Sequence, residues 1–148
     1  MNNYPDVLRP FDYLERAEDF YQAFRDLPPR HPPQSWPRYF MLCHAVELAL
    51  KSYLALHGAT PQQLRESGLR HNLTELLTRS VSAGLSLTAS AQTDIKLLQE
   101  AHEKFWHRYP KEDGAPVFII EQFEPATREL LNRVSVALRG GASMVTDS

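Results

Sequence analysis

The sequence predicts an all-α fold in which five helices pack together as a bundle. Three observations support this prediction. Apolar residues recur at helical spacing in five segments, and no segment alternates apolar and polar residues as a half-buried strand does. The sequence also contains no internal repeat. The chain has 148 residues and is 43% hydrophobic, which is ordinary for one globular core. We therefore expect one domain over residues 1–148, with its core at about 11–139 and a mobile tail at 140–148.

A proline-rich connector separates the first two predicted helices. The first helix covers Phe11–Phe24, where an apolar stripe is interleaved with charged residues. Prolines between residues 28 and 37 remove backbone donors and predict an extended path. The second helix is capped by Ser35 and stops at Gly58. It contains the apolar run Met41–Leu56 and is therefore expected at the centre of the bundle.

Three more helices follow. The third begins at Asn72, which has the spacing of a capping box with the Glu three residues later, and it ends near Gly84. The fourth runs from about Ser90 to His107, and the last covers Pro125–Leu138, with proline in the first turn. The state of segment 116–123 stays open, because its apolar run is too short to classify by periodicity.

The charge balance limits how nucleic acid or a membrane could bind to this protein. A formal net charge of -2 gives no overall field that would attract nucleic acid or an anionic membrane, so any such contact must be a local patch. The run Met41–Leu56 is about long enough to cross a bilayer, but it carries three ionisable groups, and one charge at the membrane centre costs about 2.5 to 3.5 kcal/mol. We expect no membrane partner.

The remaining motifs narrow the location and the chemistry. The single cysteine, Cys43, cannot form an internal disulfide, and the N-terminus lacks a secretory signal, which together indicate a cytoplasmic protein. Glycine motifs of P-loop, dinucleotide-binding and hydrolase-elbow sites are absent, so no cofactor is expected. His44 and Glu47 form one His-x-x-Glu spacing, too little for a di-metal bundle site, and no metal is expected.

A polar stripe on the second helix is the main candidate for function. At 100° per residue, His44, Glu47 and Lys51 share one narrow face of an otherwise apolar helix. Glu47 and Lys51 on a solvated edge would be an ordinary pair worth about 0.2 to 0.5 kcal/mol. On a central helix the stripe must instead face a groove, another subunit or polar partners, because unpaired buried charge is costly. We favour the second interpretation.

The end of the fourth helix supplies candidate partners for this stripe. His102 lies on the apolar face, where it could approach Glu47, and His107 and Arg108 close the helix. His102 as a hydrogen-bonded core residue, and the other two as charge compensation at a helix C-terminus, are the structural alternatives. Arg108 and Tyr109 could also hold a phosphate and stack a base.

Three segments together resemble the HEPN family of small helical domains. They are ELALKSYL in the second helix, RHNLTELL at the start of the third, and FWHRYP at the end of the fourth. The resemblance covers roughly Phe11 to Leu138. It implies an up-and-down bundle of four to five helices, frequent homodimers, and association with nucleotides or RNA. A nucleotidyltransferase or an antitoxin in a toxin-antitoxin or defence system would be the partner protein.

The resemblance also bears on catalysis. Ribonuclease members carry Arg, four to six residues and then His, but no histidine follows Arg108 here, and Arg65 to His71 and two similar matches lie elsewhere. His71 is explained by packing beside the Asn72 cap. We expect a nucleotide or RNA binding module that is not an enzyme.

The expected ligand contacts are Glu47, Lys51, Arg108 and Tyr109, with His44 and His102 supporting them. Two alternatives stay open: a metal-independent ribonuclease toxin using His102 or His107 with Arg108, and a structural dimerisation partner with the stripe as its seam.

Overall fold

The structure is a computed structural model that describes residues 9–28, 36–107 and 120–140, without the side chains of Trp36, His102 and 104–107. All regular structure in these ranges is helical, which confirms the predicted all-α class. The elements are α1 (Pro10–Asp26), α2 (Trp36–Leu56), α3 (Pro61–Leu64), α4 (Leu73–Ser82), α5 (Ala89–His107), a 3-10 helix (Ile120–Phe123) and α6 (Glu124–Leu138).

The most apolar helix, α2, lies at the centre of the fold. It packs against α1, α4, α5 and α6. Leu42, Val46 and Leu50, one helical turn apart, are completely buried, and burying each such side chain contributes about 1.5–3 kcal/mol. By length and composition Pro37–Leu56 is also apolar enough to cross a membrane, but 67% of its most apolar stretch is buried inside the protein. Its apolarity is therefore explained by its place in the core.

Local signals set the helix ends. The Asn72 side chain accepts a hydrogen bond from the Glu75 amide at 3.0 Å, as the predicted cap requires. Glu75 does not complete the capping box, because its carboxylate accepts from Arg79 at 3.1 Å instead. Beyond the end of α4, Gly84 has a φ of 115° and stops the helix where an L side chain would be strained.

Arg38 joins the start of α2 to its neighbours. Only 6% of Arg38 is exposed. Its guanidinium lies 4.3 Å from the centre of the Phe24 ring at the end of α1 and pairs with Glu121 in the 3-10 helix. A charged group this deeply buried needs such partners. Arg38 is thus a structural cation that fixes three elements to one another.

Candidate functional site

The polar stripe of α2 is buried in the protein interior. Glu47 is 7% exposed and Lys51 is 8% exposed, and the Lys51 Nζ donates to Glu47 Oε2 at 2.8 Å. His44 is partly buried, and its ring centroid lies 5.1 Å from that of Phe20 and 6.3 Å from that of Phe40. The pair of charges is therefore a buried ion pair and not the edge pair that its spacing alone would also allow.

His71 is the third member of the charged group, and sequence reasoning assigned it only a packing role. Its Nδ1 lies 3.0 Å from Glu47 Oε1 and 3.1 Å from Oε2, although the residues are far apart in the chain. Its φ is 61°, in the left-handed region where histidine is one of the more tolerated side chains. Since its side chain is 58% exposed, one ring nitrogen contacts the interior while the rest of the ring is accessible to a ligand.

The electrostatics of the group keep Glu47 ionised, and its hydrogen bond fixes the tautomer of His71. Burial raises the pKa of Glu47, but the adjacent Lys51 and the hydrogen bonds from Lys51 and His71 outweigh burial and hold that pKa below its ordinary value. An ionised carboxylate only accepts hydrogen bonds, so the His71 Nδ1 carries a proton. The Nε2 of His71 then accepts in the neutral ring and donates in the imidazolium.

Glu47 and His71 line a recess of about 540 Å³ beside α2, which we call the α2 recess. This volume is typical of small-molecule sites. Three segments of the chain form its walls. Its lining residues are Phe40, Cys43, His44 and Glu47 from α2; Ser67, Arg70, His71, Asn72 and Leu73 from the loop and start of α4; and Gln99 and Glu103 from α5.

The walls of the α2 recess differ in chemistry. Phe40 and His44 present two nearly parallel aromatic rings, with their centroids 6.3 Å apart. Across from α2 the chain contributes the exposed cation Arg70 beside His71. Burial raises the pKa of the Cys43 thiol to about 12, so at neutral pH it is a protonated thiol and not a nucleophile. The recess therefore combines stacking surfaces, fixed acceptors and a rim cation.

The structure brings together part of the predicted site. Glu47 and His44 line the recess, whereas Lys51 contacts Glu47 and does not itself line it. Arg108 and Tyr109 lie outside the described residues, as do the side chains of His102 and His107. The predicted approach of His102 to Glu47 therefore stays a prediction.

The recess residues that the sequence did not single out as ligand contacts include Arg70, His71, Gln99 and Glu103. A partial signal was present for two of them. Gln99 and Glu103 are four residues apart, and residues at this spacing share a helix face. Nothing local indicates that this face lines the same recess as Glu47.

Comparisons with known proteins add no family to these observations. No protein-family model and no curated protein matches the sequence, and no solved structure matches the fold. Within the part of the chain that the structure describes, no three His, Cys, Asp or Glu side chains form a group that could hold a metal ion. The site must therefore be interpreted from its own geometry.

Proposed function

We propose that this protein is a HEPN-like module that binds a nucleotide or a short single strand of RNA in the α2 recess. One observation carries the proposal: the buried carboxylate of Glu47 contacts Lys51 and also holds the exposed ring of His71 beside Arg70. Burying an ion pair has a desolvation cost that an apolar pair would avoid. The buried pair has a purpose if Glu47 must hold the His71 imidazole in a fixed orientation at the recess.

Each wall of the recess has a role in this proposal. Phe40 and His44 form an aromatic wall on which a base can stack, and such stacking is worth about 1–3 kcal/mol per base. Arg70 contacts the phosphate, with His71 beside it, because guanidinium groups suit phosphate oxygens. Glu47 orients His71, and Lys51 neutralises Glu47 instead of contacting the ligand.

The residues outside the described part keep their predicted roles in the proposal. Arg108 and Tyr109 would add a second cation and a second ring to the ligand contacts, with His102 supporting them. A homodimer, with a nucleotidyltransferase or antitoxin as partner protein in a cytoplasmic system, is likewise part of the proposal. The resemblance of the three sequence segments supports these elements.

A titration of the full-length protein with nucleoside monophosphates and a short single-stranded RNA, followed by calorimetry, tests the binding role. We expect binding, and we expect Arg70→Ala to weaken it about tenfold, because charge-assisted hydrogen bonds contribute about 1.5–3 kcal/mol. Arg79→Ala is the matched control, since Arg79 is an exposed cation on α4 that pairs with Glu75 and does not line the recess.

Two results would argue against the binding role. The first is the absence of binding at millimolar concentrations of every nucleotide and of the RNA, and a stable dimer would then favour the structural partner. The second is equal weakening by Arg70→Ala and Arg79→Ala, which would indicate a general charge effect.

A separate incubation with RNA and a chelator tests the ribonuclease alternative. We expect intact RNA. Cleavage that is lost in Arg108→Ala or His107→Ala would instead establish the enzyme.

A further inference from the structure

The α5 wall of the recess contains a hydrogen-bonded chain that begins at the backbone of α4. Leu73 is the first residue of α4, so its N–H has no acceptor within the helix. The Gln99 Oε1 accepts from this N–H at 2.8 Å, and Gln99 is only 9% exposed. Because the donor is a backbone amide, the orientation of the Gln99 side-chain amide is determined, with its oxygen toward α4.

The other end of Gln99 fixes a carboxylate. With Oε1 facing Leu73, Nε2 faces α5 and donates to Glu103 Oε1 at 3.0 Å. Glu103 lines the recess and is exposed to it. The position of this carboxylate is therefore set by a chain of two hydrogen bonds from the start of α4.

The fixed carboxylate has acceptor capacity left for a ligand. A carboxylate has about four lone-pair sites, and Gln99 uses one of those on Glu103. Among the residues whose side chains the structure describes, Gln99 is the only hydrogen-bond donor to Glu103, so lone-pair sites remain on both of its oxygens. A ligand group that contacts Glu103 must therefore bring donors, and two adjacent, parallel donors match it best.

We propose that Glu103 reads the base edge of the ligand and makes the α2 recess selective for guanine. This inference rests on the proposed nucleotide-binding function and names its specificity. Guanine presents the N1–H and the N2 amino group side by side, so both carboxylate oxygens accept from it. Adenine and cytosine place a ring-nitrogen acceptor beside their amino group, and uracil places its one N–H between two carbonyls. In each of these three bases an acceptor faces the carboxylate and is repelled.

The rest of the recess is consistent with this orientation of the base. The aromatic wall of Phe40 and His44 offers a stacking surface that tolerates every base, so it gives affinity without selectivity. Arg70 contacts the phosphate, which all nucleotides share. Selection among bases is then assigned to Glu103, and Gln99 acts as its positioning residue.

The test compares the affinities of GMP, AMP, CMP and UMP for the full-length protein by calorimetry. We expect GMP to bind about tenfold or more tightly than the other three, since a bidentate base contact gives about 1–3 kcal/mol of discrimination. Inosine monophosphate keeps N1–H but lacks the N2 amino group, so its affinity should fall between those of GMP and AMP.

Substitutions then locate the selectivity. In Glu103→Gln the preference for GMP over AMP should disappear, because GMP loses one of its two charged acceptors and the repulsion of the adenine ring nitrogen is relieved. Glu100→Gln, on the same helix but not lining the recess, is the control and should keep the preference. Gln99→Met should reduce the ratio of GMP to AMP affinity, a readout that a loss of folded protein would not change.

The outcomes separate this inference from the proposed function. Equal binding of all four nucleotides, or an unchanged GMP preference in Glu103→Gln, would overturn the guanine assignment and leave the binding function standing. No binding of any nucleotide would overturn both. A GMP preference that is lost in Glu103→Gln and kept in Glu100→Gln establishes the guanine assignment.

Discussion

Replacing Lys51 by methionine removes the ammonium group from the buried pair while keeping an unbranched side chain of similar length. In the folded protein the Lys51 Nζ lies 2.8 Å from Glu47 Oε2. At an effective dielectric constant of about 20 this attraction is worth about 6 kcal/mol. Desolvation of both groups offsets much of it, and breaking one partner of a buried pair typically costs about 3–5 kcal/mol.

We expect Lys51→Met to lower the free energy of unfolding by about 3 kcal/mol, the lower end of that range. The reason is that His71 still donates to Glu47 after the substitution. Urea unfolding followed by circular dichroism measures the change. With a slope of about 2 kcal/mol per molar urea, the midpoint should fall by about 1.5 M.

Two further variants test whether the loss of stability comes from burying an unpaired charge. Arg79→Met breaks a pair with the same spacing on an exposed face, at 3.1 Å from Glu75, and should change the stability by less than about 0.5 kcal/mol. The double variant Glu47→Gln, Lys51→Met leaves no unpaired charge and should recover most of the loss. The reasoning is refuted if Lys51→Met is no more destabilising than Arg79→Met.

Three other predictions concern pH and the helix ends. Because the pKa of Glu47 is held below its ordinary value, its stabilising contribution is present above about pH 4.3, the usual carboxyl pKa, and is lost as the pH falls through the folded-state pKa. Acid titration of stability in Glu47→Gln should show a shallower loss, and an unchanged slope would contradict this. Asn72→Ala removes the α4 cap and should cost about 1 kcal/mol in urea unfolding, whereas no change would show that water replaces it. Gly84→Ala places a Cβ 3.2 Å from the Tyr53 hydroxyl at a positive φ and should lower stability by more than about 1 kcal/mol. Thermal unfolding measures this loss, and an unchanged midpoint would contradict the prediction.

Much of the helical organisation was predictable because its signals are local. The Asn72 cap and the Pro125 start each depend on neighbouring residues, and α4 and α6 begin within one residue of the predicted positions. One short helix was missed although its signal was present. Thr60 to Gln63 has the spacing of a capping box, and both of its hydrogen bonds form at the start of α3. It was overlooked because a single turn has no apolar stripe.

The segment left open in the sequence is partly resolved by the fold. Ile120–Phe123 forms a 3-10 helix whose two terminal residues are buried. Four residues are too few for a period of 3.0 or 3.6 to be distinguished from a strand. Their helical state follows from burying two apolar side chains against the core and leading directly into α6.

The sequence by itself determined that the five longer segments are helical, that α2 is the central helix, and that Glu47 and Lys51 share one of its faces. Each of these depends on residues within one or two turns of each other. Only the tertiary structure decided that this face is buried, that His71 reaches Glu47, and that Gln99 links α4 to Glu103. The contacts of His71 with Glu47 and of Gln99 with Leu73 join residues more than 20 positions apart. Their geometry follows from how whole helices pack, which no local spacing encodes.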